Sequence, residues 1–133
     1  MPNPTLATSK VMKWTGYGLS GLVVAFMVMD FGMKLMQLPI VISTTEGLGW
    51  SGDKARLLGI ILMVCTALYA VPQTSGLGAI LLTGYLGGAV ATHLRIDSPL
   101  FSHVLFGVYI GVMMWGGLWL RDARLRALFP LKP

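Results

Sequence analysis

Residues 14–38 read WTGYGLSGLVVAFMVMDFGMKLMQL, an apolar stretch that carries one carboxylate, Asp30, and one ammonium, Lys34, a single helical turn apart. A bilayer crossing takes about 20 mostly apolar residues, so this stretch reads as a transmembrane helix. Its two charges bear on function. A charged side chain at the bilayer centre costs about 2.5 to 3.5 kcal/mol on the insertion scale, which makes such residues rare and often functional.

The rest of the chain agrees with a membrane reading. Of its 133 residues 55% are hydrophobic and 11% charged, and the mean hydropathy is +0.74. Soluble domains carry about 25% charged residues. The single cysteine, Cys65, lies in an apolar run with no second cysteine, which excludes a disulfide framework or a dithiol centre and leaves core packing. The formal charge of +5 comes from residues at segment ends with no basic stripe among aromatics, so a nucleic-acid partner is not expected. The apolar run after Lys10 and Lys13 is too long for a signal peptide and lacks a small-x-small cleavage site.

Four apolar segments follow from the pattern, at about residues 14–38, 57–71, 77–93 and 101–120. None alternates as a barrel strand does, and a lipid-exposed span must satisfy its own backbone, so all four are expected to be helices. The expected fold is an all-α membrane domain covering residues 1–133: a bundle of four transmembrane helices with antiparallel neighbours and a tail at 121–133. Pro72-Gln73-Thr74-Ser75-Gly76 reads as a tight turn. The stretch from Pro39 to Lys54, with Gly47, Gly49, Gly52 and Trp50, reads as a long connection that folds back onto the membrane surface.

Basic residues set the expected orientation. Lys10, Lys13, Arg121, Arg124, Arg126 and Lys132 fall on the side of the termini, against Lys54, Arg56 and Arg95 on the other, which puts both termini in the cytoplasm. After Leu120 the mixture of arginines with leucines and alanines suits a short helix at an anionic inner leaflet, stopped by Pro130.

Small residues four apart allow helix backbones to approach in lipid. Gly21 and Ala25, Gly84 and Gly88, and Gly107 and Gly111 show this spacing on the first, third and fourth helices. It suits contacts within one bundle first, with the seam of a homodimer as the alternative.

Helix rise places Asp30 about 24 Å above Trp14, near the outer edge of a hydrocarbon core about 30 Å thick. The same arithmetic brings His93, Arg95 and His103 to that level, with Arg56 and Asp97 flanking. Asp30, Lys34, His93, Arg95 and His103 therefore form the candidate polar site, at the extracytoplasmic end. At about 100° per residue Arg95 continues the Gly88 face and His103 falls close to the Gly107 face, while Asp30 lies about 140° from Ala25. Asp30 and Lys34 are also spaced to pair with each other and merely to set helix depth. The two histidines alone do not make a metal or haem site, and no nucleophile elbow, phosphate loop or metalloprotease motif is present. The other half of the bundle offers only hydroxyls and rings such as Tyr17, Tyr69, Thr83 and Tyr109, so a proton or ion wire across the membrane is not expected.

The stretch LGIILMVCTALYAVPQTSGLGAILLTGYLGGAVATHLR at 58–95, GGLWLRDARLRALFPLKP at 116–133 and Asp30-Phe31-Gly32-Met33-Lys34 together resemble the DoxX-like family of small bacterial membrane proteins. Gln73 stands where an Arg is common in that family, and Leu62 where some branches carry a Glu. The resemblance implies a four-helix bundle in the bacterial inner membrane and, through a thiosulfate:quinone oxidoreductase type of complex, an accessory subunit that holds a quinone or a lipid. A mechanism needing the second-helix Glu is not open to this chain. Two further readings stand beside that one: a small membrane enzyme using Asp30 or His93 as acid and base on an apolar substrate, and a small-solute transporter or channel.

Overall fold

The computed structural model describes residues 7–129, so Pro130 and Lys132 lie outside the described residues. Helix α1 spans Lys10–Leu35, and its N-cap Ser9 accepts from the Met12 amide at 3.1 Å. Helices α2 (Pro39–Gly47), α3 (Lys54–Ala70), α4 (Ser75–Arg95), α5 (Phe106–Arg121) and α6 (Ala123–Leu128) follow, and no strand occurs among the described residues. A π-helical turn, Leu100–Val104, leads into α5.

Three spans are long and apolar enough to cross a membrane: Lys10–Leu35, Pro72–Arg95 and Leu100–Arg121. Helix α3, packed against α1 and α4, has 17 residues, about 26 Å of rise. The packing runs in a ring. Helix α1 contacts α3 and α5, and α4 contacts the same two, so α1 and α4 stand at opposite corners. The buried residues of α1, Gly16, Ser20, Val23 and Met27, recur at helical spacing and face this centre, where Leu62, Tyr69, Leu82 and Met114 are fully buried. Cys65 lies in the same core. Large apolar side chains such as Leu22, Ile61, Ile80 and Val112 point outward, as lipid-facing surface does.

The α3–α4 connection is held by hydroxyls. Ser75 Oγ donates to the Tyr69 carbonyl at 2.7 Å and Thr74 Oγ1 to that of Leu68 at 2.7 Å, satisfying carbonyls that the end of α3 leaves open. Gly78 then fits against Tyr69, where an added Cβ would lie 2.2 Å from the Tyr69 nitrogen.

Within the chain, the glycines at this spacing make few close helix contacts. Gly107 does make a close approach, since a Cβ there would meet Val90 at 2.9 Å and the Leu86 oxygen at 3.0 Å. Gly21, Gly84, Gly88 and Gly111 have nothing within 4 Å of a Cβ, and Ala25 is exposed. The intimate crossings lie elsewhere, at Gly16 on Gly117 and at Gly59 on the end of α1. Spacing identifies a small face without saying what the face meets.

The terminal segment forms the expected short helix, α6, and one of its arginines turns inward. Arg126 is 1% exposed and does not point toward headgroups. It donates to the Trp119 and Leu120 carbonyls, both at 2.7 Å, and to Thr8 Oγ1, closing the end of α5 and drawing the two ends of the described chain together. Arg124 remains exposed beside Asp122.

Candidate functional site

The far end of the bundle from this clamp holds a cavity of about 590 Å³. Helix α1 supplies Phe26, Met29, Asp30, Met33 and Lys34, and α4 supplies Gly84, Tyr85, Gly88, Ala89 and His93. His103 comes from the π-helical turn. The roof is α2 with the residues after it: Ile40, Val41, Thr44, Thr45, Leu48 and Trp50.

Four of the five expected site residues line this space. The Lys34 ammonium donates to the Asp30 carboxylate one turn away, and both groups are partly buried. The pair is thereby neutral as a unit. The His93 and His103 rings meet edge to face with centroids 5.7 Å apart. Each Nδ1 lies beside a serine hydroxyl, Ser98 at 3.1 Å and Ser102 at 2.7 Å. Among the described residues no three His, Cys, Asp or Glu side chains lie close enough to hold a metal ion.

Arg95 is the exception. Its guanidinium turns away from the cavity and donates to the Leu48 carbonyl at 2.6 Å, capping the end of α2. Gly49 makes room for it, with φ at +90° and the Arg95 nitrogen 2.3 Å from where a Cβ would stand. The projected angle from Gly88 missed this because Arg95 is the last residue of α4, and its long side chain reaches past the helix end to the turn after α2.

Two contributors were missed. Tyr85 is a cavity residue whose hydroxyl makes no hydrogen bond among the described residues. Only its position one residue from Gly84 and four before Ala89 hinted at that face. Helix α2 was read as a connection, although its cavity residues at 40, 41, 44, 45 and 48 have helical spacing and Pro39 stands at a helix start. Near its end, outside the membrane region, the Ser51 hydroxyl holds the Asp53 carboxyl below its ordinary value, keeping negative charge at the N-terminus of α3.

The opposite half is polar in a different way. Tyr69 donates to the Met114 carbonyl at 2.7 Å and meets Ser20 Oγ at 2.7 Å, joining α1, α3 and α5. Tyr109, expected in that half, reaches back to the Phe101 carbonyl at 2.8 Å. The hydroxyls there serve packing.

A family model described as the DoxX-like family matches residues 18–117. The chain belongs to the DoxX-like family. That match covers α1 from its third turn through most of α5, and so includes every residue that α1, α4 and α2 bring to the cavity. With its long apolar spans, this DoxX-like chain is a membrane protein. Where some branches of the family carry a Glu in the second helix, Leu62 here is fully buried at the bundle centre, away from the cavity. No curated protein and no solved structure matches the DoxX-like chain.

Proposed function

We propose that this protein crosses the bacterial inner membrane four times with both ends in the cytoplasm, and that its cavity binds a lipid-phase molecule with a neutral, hydrogen-bonding head. The quinone class fits that description. In this reading the protein is an accessory subunit of a redox-linked membrane complex rather than the site of bond-breaking chemistry. The four-span topology rests on α3 being within the shorter range of membrane helices and on the cations grouped at the terminal end.

One observation carries the ligand class. The polar groups of the cavity gather at one end, and there Asp30 is already neutralised by Lys34 while Arg95, the cation best suited to a phosphate, is turned onto Leu48. What remains at that end is the histidine pair, His93 and His103, and Tyr85, eight residues before His93 on α4, adds a hydroxyl lower in a largely apolar chamber. A volume near 590 Å³ is within the range of about 300 to 1,000 Å³ usual for small-molecule sites.

The test is solvent extraction of the gently purified protein followed by mass spectrometry. The proposal predicts a quinone at close to one per chain. A quinone content no higher than that of the surrounding lipid contradicts it.

A further inference from the structure

Gly84 and Gly88 stand one turn apart on α4, both exposed and both lining the cavity. Glycine inside a helix weakens it relative to alanine, and in lipid the usual compensation is close approach of a second helix. That compensation is missing within this chain. A Cβ at either position would find nothing within 4 Å, whereas one at Gly107, on the far side of the same groove, would meet Val90 and Leu86.

The space left by these glycines has a direction. Gly88 lies about 7.5 Å and Gly84 about 14 Å below His93 along the helix axis. From the other corner of the ring α1 offers Met29 and Met33, unbranched and adaptable side chains, and α1 and α4 do not close on each other. The polar end is thus continuous with a largely apolar space whose rim reaches the exposed edge of α4 at these two glycines.

We infer that Gly84 and Gly88 form a lateral opening through which the tail of the bound molecule passes from the cavity into the bilayer, so that the site selects ligands with one long apolar chain attached to the head. This rests on the cavity reading above and adds the access route and the chain to it. Gly87 supplies the control. It is exposed, has no neighbour within 4 Å of a Cβ, and does not line the cavity.

The experiment titrates the detergent-solubilised protein with decylubiquinone and with the same ring lacking the decyl tail, reading bound mass by native mass spectrometry. Three proteins are compared: wild type, the double variant Gly84→Leu with Gly88→Leu, and Gly87→Leu. The expected result is a loss of decylubiquinone affinity of about tenfold or more in the double variant, as follows from excluding only two methylenes from the opening. The tailless ring should bind the double variant as it binds wild type, and Gly87→Leu should match wild type for both. Equal decylubiquinone binding by the double variant and wild type overturns the opening while leaving the cavity reading in place. So does a change in oligomeric mass with binding unaltered, which would make these glycines the seam between two copies. If wild type binds neither probe, the cavity reading fails and the opening with it.

Discussion

Tyr69 on α3 and the Met114 carbonyl on α5 are joined across the diagonal of the bundle by a 2.7 Å hydrogen bond, with the Tyr69 ring 1% exposed. Ser20 on α1 meets the same hydroxyl, so one oxygen ties three helices. Tyr69→Phe keeps the ring and removes the oxygen, and it should destabilise the bundle by about 1 kcal/mol, the usual scale for such bonds in water and in lipid. Equilibrium unfolding in mixed micelles measures this. Ligand binding at the opposite end should be unchanged.

The glycines of α4 divide into two kinds, and alanine substitution separates them. Gly78→Ala drives a Cβ into the Tyr69 backbone, with contacts at 2.2 and 2.5 Å, which only displacement of α3 relieves. It should cost about 1 to 3 kcal/mol, the scale of overpacking. Gly87→Ala meets nothing and should leave stability unchanged or slightly raised. Melting both variants beside wild type gives the comparison.

Among the arginines of the terminal segment, Arg126 and Arg124 should behave in opposite ways. Arg126→Gln removes charged donors from the Trp119 and Leu120 carbonyls in a buried place, at a cost of about 1.5 to 3 kcal/mol. Arg124→Gln removes only an exposed pair with Asp122 at 3.5 Å and should be near neutral. Limited proteolysis after α5 reads both, with faster cutting expected in the Arg126 variant alone.

That contrast also shows what the sequence made legible. The apolar runs announced the long helices, because a span that meets lipid must be apolar nearly all round. Their ends were less visible: α1 begins at Lys10 and stops at Leu35, since charged and polar residues near the interface continue a helix as easily as they bound it. Asp30, Lys34, His93 and His103 were brought to one level by counting rise alone, and the cavity does collect them. Orientation was harder. The sequence points Arg95 into the bundle and puts Arg126 in a short interfacial helix; in the structure Arg95 instead caps the turn after α2, and Arg126 closes the end of α5. Such contacts depend on where a connection folds back, and Gly-rich, β-branched stretches like 39–52 carry little local signal for that.

Arg95 is the tether of the cavity roof. Arg95→Gln should release the turn after α2, so that the amides of Leu48, Gly49 and Trp50, bonded to the Thr44, Glu46 and Thr45 carbonyls, exchange with solvent roughly fivefold faster. Amides in the middle of α4 should keep wild-type rates. Hydrogen exchange read by mass spectrometry resolves the two regions.

Trp50 gives the most direct view of the central claim, that the cavity holds a neutral-headed amphiphile, because its ring lines the cavity while Trp14, Trp115 and Trp119 do not. Decylubiquinone, which quenches indole emission at close range, should quench the wild-type protein saturably with a stoichiometry of one. In Trp50→Phe that saturable component should disappear while bound mass is retained. Quenching that rises without saturation, or that persists unchanged in Trp50→Phe, would contradict ligand binding beneath α2.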